Sequence, residues 1–270
     1  MDCRKNKKLD IGYLIMENKK EITMKTTSKL FLVIITILLI GCSQIKQDGQ
    51  NDELTITGSG TLVSREVALA AFDQVEAGLY FDLRIHQGEE FHLVLTSDDN
   101  FIDYIQVAQE GNGIRFGFKP GQAYDISGVT LKVDITLPKL TKLELSGTSH
   151  AHFDGYQSNQ PFEANLTGSS SLTGEMQMES AQLVTSGSSY VKLAGTGAQV
   201  SVEACGASIV DLREFEAKDA MLQISCASTV AVNVPGQLEG EASQNAKIIF
   251  AGSPAENRIE VKEFASIQTE

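Results

Sequence analysis

One small-residue motif recurs through the second half of the chain, and its spacing limits what the chain can fold into. The copies are Ser146-Gly147-Thr148-Ser149, Thr167-Gly168-Ser169-Ser170, Ser186-Gly187-Ser188-Ser189, Cys205-Gly206-Ala207-Ser208 and Ser225-Cys226-Ala227-Ser228, with a weaker Ser243-Gln244-Asn245-Ala246. Their last residues lie 21, 19, 19, 20 and 18 positions apart. Two positions beyond each copy stands Ala151, Leu172, Val191, Val210, Val230 or Ile248, and short apolar strands such as Leu143-Glu144-Leu145 precede them. A unit of this length cannot close a core alone and must stack on its neighbours. Small residues suit a sharp corner whose successive copies pile on one another, where glycine also reaches positive φ. The pattern predicts a right-handed parallel β-helix with rungs of about 20 residues, like strands lying about 4.8 Å apart. An immunoglobulin-like sandwich also has short strands, but nothing in it keeps one corner in phase through so many repeats.

The first half alternates with period two. Leu79, Phe81, Leu83 and Ile85 interleave with Tyr80, Asp82, Arg84 and His86, and Leu131, Val133, Ile135 and Leu137 interleave with Lys132, Asp134 and Thr136. Alternation of this kind marks strands with one buried and one wet face. The nearest helical candidate, 99–109, sustains a turn or two. Residues 54–270 therefore read as one all-β domain. Its less regular first half is placed to cover one end of the coil, and the charged tail 256–270 to blunt the other.

The amino-terminal end carries an address. Lys25 and Lys29 precede an apolar run, Leu30–Ile40, that is too short for a membrane span and suits a signal peptide. The run ends in Leu39-Ile40-Gly41-Cys42, which resembles a bacterial lipobox, with cleavage between Gly41 and Cys42 and lipid on the Cys42 thiol. Residues 1–41 then form an extended start plus signal peptide, and 42–53 a lipidated flexible tether. Two or more acyl chains, at about 0.8 kcal/mol per buried CH₂, hold such a protein to a bilayer. Ser43 after the cysteine favours the outer membrane, with the periplasmic or surface side left open.

Charge narrows the partners. The whole chain carries −13. Residues 1–42 hold eight basic and four acidic side chains, leaving 14 basic and 31 acidic in 43–270, a net charge of −17. Nucleic acid is excluded as a partner by that field.

Gly58-Ser59-Gly60, Phe72-Asp73-Gln74-Val75, Ile85-His86-Gln87-Gly88, Asn100, Tyr104-Ile105, Gly113-Ile114-Arg115-Phe116 and the small corners together resemble the auto-transporter adhesin family called the head GIN domain. The resemblance spans about residues 56–255. It implies a β-helix and a lipoprotein or secreted protein, and it carries over no catalytic residues. Cys205 and Cys226 depart from it, standing where Ser or Gly is usual.

The candidate site residues are few. Cys205 and Cys226 fall in adjacent rungs one position out of register, so small thiols filling Ser and Gly places are favoured over a disulfide. His150 and His152 flank inward Ala151 and point outward, a pair that can bind a transition metal, but no third ligand is secured beyond nearby Asp154. A solvated face is the favoured reading, and no metal or cofactor is assigned. His86 and His92 sit at wet positions. Lys192 and Asp211 are placed for a cross-strand ion pair. Asp98-Asp99 and Glu89-Glu90 read as solvated loop charges. The expected function is a non-catalytic cell-envelope lipoprotein, an adhesin or ligand-presenting β-helix whose partners are the membrane, through its anchor, and a glycan or protein ligand. The alternatives are a β-helix carbohydrate-active enzyme, disfavoured because no carboxylates cluster beside a basic residue, and a structural or signalling envelope component.

Overall fold

The computed structural model describes residues 54–121 and 123–270. The expected signal peptide, Gly41–Cys42 cleavage site and lipidated tether lie outside the described residues. Among those described, no helix is long and apolar enough to cross a membrane.

The chain opens with β1 (Leu54–Thr57), β2 (Leu62–Glu66), β3 (Gln74–Ala77), β4 (Asp82–Gln87) and β5 (His92–Asp98). A 3-10 turn, Ile102–Tyr104, leads into β6 (Ile105–Glu110), β7 (Gly113–Phe118), β8 (Tyr124–Ser127) and β9 (Leu131–Leu137). The helical stretch expected over 99–109 is thus one turn followed by a strand. Next come β10 (Lys142–Leu145), β11 (His150–Ser158), β12 (Phe162–Leu166), β13 (Ser171–Thr185), β14 (Tyr190–Ala204) and β15 (Ile209–Ile224). The chain ends with β16 (Thr229–Asn233), β17 (Gln237–Ala242), β18 (Lys247–Ala251), β19 (Glu256–Val261) and β20 (Ser266–Thr269).

These strands wind into a parallel β-helix of about six turns. Each rung has a strand entering the corner and one leaving it. The leaving strands pair in parallel from β4 through β11, β13, β14, β15, β16 and β18 to β20. The entering strands run likewise from β3 through β10 and β12, the second halves of β13 to β15, and β17 to β19. The inward column predicted after the corner is buried throughout, with Leu172, Val191, Val210, Val230 and Ile248 fully enclosed. Each such side chain contributes about 1.5–3 kcal/mol relative to exposure.

The corner geometry explains the small residues. The second residue of each copy has positive φ, from Gly147 (66°), Gly168 (75°), Gly187 (74°) and Gly206 (82°) to Cys226 (64°) and Gln244 (60°). The column also gains a member at each end that small-residue matching misses, Leu79 (61°) and Glu263 (55°). The next N–H in each corner donates to the carbonyl one rung below: Ser169 to Gly147, Ser188 to Gly168 and Ala207 to Gly187, all at 2.7 Å. A Cβ on Gly187 would lie 2.5 Å from the Gly168 carbonyl oxygen, so at the 2.7 Å spacing of these corners the stack requires glycine. Where Cys226 and Gln244 stand, the corresponding bonds of Ala227 and Asn245 lengthen to 2.9 Å. The fourth corner residue is a buried serine in five copies and Ala246 in the sixth. In Ser149, Ser170, Ser189 and Ser208 the hydroxyl donates to the carbonyl three residues back, as in Ser189 to Ser186 at 2.7 Å and Ser208 to Cys205 at 2.8 Å. Serine there fills a small space with its hydroxyl paired. Ser228 is the exception, its buried hydroxyl having no hydrogen-bond partner.

Residues 88–141 cap one end. β7 extends the entering ladder beyond β3 and β9 the leaving ladder beyond β4, both in parallel. Then the direction reverses. β5 runs antiparallel to β9, β2 to β5, and β6 to β7. Phe101, fully buried, meets Phe118 edge-on at 5.2 Å between ring centroids, and Tyr104 and Tyr124 close around them.

Asp98 corrects the sequence reading. It is buried, not a solvated loop charge, because the loops at 58–61 and 128–130 fold over it. Its carboxylate accepts the Gly60 N–H at 2.7 Å and the Thr130 N–H at 2.8 Å, and these backbone donors hold it below the usual carboxylate range. Only its neighbour Asp99 is at the surface, accepting from the Ser59 hydroxyl at 2.5 Å. Asn100 joins the same staple, donating to the Thr57 carbonyl at 2.9 Å.

Candidate functional site

The leaving strands present a long lateral sheet whose outward side chains rise in columns. One column passes from Asp82 through His150, Ser171 and Tyr190 to Ile209. Tyr190 (37% exposed) and Ile209 (48%) put neighbouring apolar surface on this face. The next column runs Arg84, His152, Thr173, Lys192, Asp211, Ala231. Ala231 is buried, and the column continues through Ile249 to Gln268.

The histidines are arranged more closely than their sequence positions show. Asp154 lies between two of them, with one carboxylate oxygen 3.2 Å from His86 Nδ1 and the other 3.0 Å from His152 Nε2. His152 Nδ1 is 2.9 Å from the Thr173 hydroxyl, and His150 Nδ1 is 2.6 Å from that of Ser171. His152 therefore has both ring nitrogens engaged. Among the described residues no group of three or more His, Cys, Asp or Glu side chains is placed to hold a metal ion. Asp154 is thus a bridge between imidazoles, and His86 belongs to this cluster although alternation alone gave it no role. His92 stands apart, 3.2 Å from Glu66.

The expected Lys192–Asp211 pair is not made. The two residues do face each other across β14 and β15, but a register shift follows immediately after Lys192. That bulge turns Arg213 back onto Asp211 through two contacts, Nε at 2.9 Å and Nη2 at 2.6 Å. Lys192 pairs instead with Glu214 at 3.1 Å. The Arg213 guanidinium holds the Asp211 carboxyl below its usual range, and Glu214 raises the Lys192 ammonium. An irregularity of one residue is invisible to a period-two reading, which is why the pairing was mis-assigned.

Cys226 is a free thiol, so it is not bridged to Cys205. In the stack Cys205 stands above Ser186, one residue past the Thr185–Ala204 pair, and Cys226 above Gly206, as the Ala227 N–H bond to the Gly206 carbonyl shows. Adjacent rungs therefore place them at different corner positions.

Past the lateral sheet the coil bends, and a cleft of about 760 Å³ opens there. Gln157, Asn159, Gln160, Gln177 and Thr196 line it, with Lys139 at one side. Its shape comes from β11, whose register slips between Phe153 and Tyr156. Gln87 repairs the ladder at the slip. Its side-chain amide donates to the Gln157 carbonyl at 2.6 Å and accepts the Gln157 N–H at 3.0 Å. Beneath, Tyr156 is buried, takes a hydrogen bond from the Leu140 N–H, and has its phenol pKa raised by that burial. The cleft presents amides and hydroxyls able to donate and accept hydrogen bonds at close spacing, beside apolar Pro138, Met178 and Ala198 and the opposite charges of Lys139 and Glu179. Sequence reasoning passed over it because scattered Gln and Asn residues carry no motif.

A comparison with curated proteins finds no match. Among solved structures, this fold resembles a "putative adhesin" from Bacteroides fragilis at a TM-score of 0.71 and 19% identity, covering 80% of this chain and 100% of that one. It also resembles a "putative lipid binding protein" from Parabacteroides distasonis (TM-score 0.63, 19% identity, 80% and 99% covered). A third is a "putative adhesin" from Parabacteroides merdae (0.61, 17%, 80% and 99%). At these identities the likeness is one of fold. The model of the family described as "Putative auto-transporter adhesin, head GIN domain" matches residues 71–254. The chain belongs to that head GIN domain family.

Proposed function

We propose that the chain is a non-catalytic, adhesin-like protein of the cell envelope that binds a neutral glycan along its lateral side, anchored through lipid on Cys42. The observation that carries the ligand class is the cleft, whose wall of Gln157, Asn159, Gln160, Gln177 and Thr196 offers amide and hydroxyl groups in the pattern that recognises sugar hydroxyls. The net charge of −17 over residues 43–270 favours an uncharged over an acidic polymer. Family membership supports adhesion over turnover. The test is binding of the detergent-solubilised full chain to an array of neutral and acidic glycans. Binding of neutral glycans, weakened tenfold or more by Gln160→Ala with Gln177→Ala, supports the reading; no binding, or turnover of the polymer, overturns it. The anchor is checked separately by labelling cells with an alkynyl fatty acid, where Cys42→Ser abolishes incorporation.

A further inference from the structure

At the end opposite the aromatic cap the last described rung is open. β19 is paired with β17 along one edge, and among the described residues no strand pairs with its other edge. Its partners Leu238 and Ala242 are buried, so Asn257, Ile259 and Val261 lie on the inner side of the rung. Glu256, Arg258 and Glu260 alternate with them on the outer side, and Lys262 follows. The order of those outer charges is self-complementary when the strand is laid antiparallel on a copy of itself. With a two-fold axis at Ile259, Glu256 faces Lys262 of the second copy, Arg258 faces Glu260, and Ile259 faces itself. Moving the axis one residue either way sets Arg258 against Arg258 or Glu260 against Glu260, so charge selects one register.

The same end exposes apolar surface that a partner would cover, with Val261 46% and Phe264 85% exposed. Within one copy these charges already have contacts: Arg258 with Glu256 at 2.5 Å, and Lys262 with Glu241 at 2.5 Å and Glu260 at 3.4 Å. Pairing redistributes them across the axis. We propose that this edge is where two copies of the chain join, β19 pairing antiparallel with β19 of the second copy about Ile259. A closed, isologous contact of this kind ends the ladder instead of propagating it into fibres.

The test is sedimentation of the detergent-solubilised full chain with Arg258→Glu, with Glu260→Arg, and with both. Each single variant places two like-charge pairs across the axis, and the double variant restores both attractions in reversed sense. The expected result is a wild-type dimer, a dissociation constant raised about tenfold or more by either single change, and recovery in the double variant. Thermal unfolding of each variant confirms that it is folded. A wild type that is monomeric, single variants that still pair as wild type, or a double variant that stays apart overturns the proposal. A monomer that instead gains mass on adding an extended peptide overturns it as well, since the edge would then serve a different strand.

Discussion

The two ends of this coil solve the same problem in opposite ways. At both, among the described residues, backbone groups have no further rung to bond. At the cap, residues 88–141 carry each ladder one parallel strand further and then reverse it, with Phe101 and Phe118 packed beneath and Asp98 tying the loops down. At the far end, β19 and β20 each have a single paired edge among the described residues, and Phe264 stands almost wholly in solvent. The difference teaches that cooperativity in a stacked fold is unevenly distributed. A rung held on both sides opens only with its neighbours, while a rung held on one side frays alone.

The largest break in that comparison comes from the cap. Phe101→Ala empties a fully enclosed ring site and is expected to destabilise the protein by about 3–5 kcal/mol in urea titration. A loss no greater than that of a surface substitution would mean that the cap does not hold the coil. Next comes the corner column. Gly187→Ala combines φ 74° with a Cβ 2.5 Å from a backbone oxygen and is expected to destabilise by about 2–3 kcal/mol. Cys226→Gly acts in the opposite sense, relieving a positive φ of 64°, with a gain of about 1 kcal/mol.

Asp98 adds a pH signature to the capped end. Asp98→Asn leaves one buried acceptor fewer and removes the charge, a change of about 1.5–3 kcal/mol at neutral pH. The folded carboxyl lies below its ordinary value of 3.8. Its contribution is therefore complete above that value and disappears as pH falls through the lower folded one. The stability gap between wild type and Asp98→Asn should hold constant from pH 7 to about pH 5 and then narrow on further acidification. A gap that widens in acid reverses the assignment. The smallest effect is expected at the open end of the uncoupled copy, where Phe264→Ser in the Arg258→Glu background should change the unfolding free energy by less than about 0.5 kcal/mol.

Much of the fold was legible because the corner is written in residue type. Gly147, Gly168, Gly187 and Gly206 are obliged by close approach of the rung below, so the sequence cannot vary there without closing the stack badly. Leu79 and Glu263 occupy the same conformation at the ends and escaped notice because, with a rung on one side only or a looser neighbour, a larger side chain fits. The lateral site was less legible. His150 and His152 were read correctly as outward, but the Asp154 bridge to His86 joins residues far apart in the chain, and the bulge that gives Arg213 to Asp211 breaks the alternation on which the Lys192 pairing rested. Asp98 was misjudged because burial there comes from loops, whose closing positions no periodicity records.

Hydrogen exchange followed by mass spectrometry on the Arg258→Glu protein, in which copies do not join, tests the uneven coil most directly. The amides of β13, β14 and β9 should exchange only through global opening, and those of β19 and β20 orders of magnitude faster through local fraying. Equal protection along the whole ladder, or faster exchange at the aromatic end than at the open one, would contradict it.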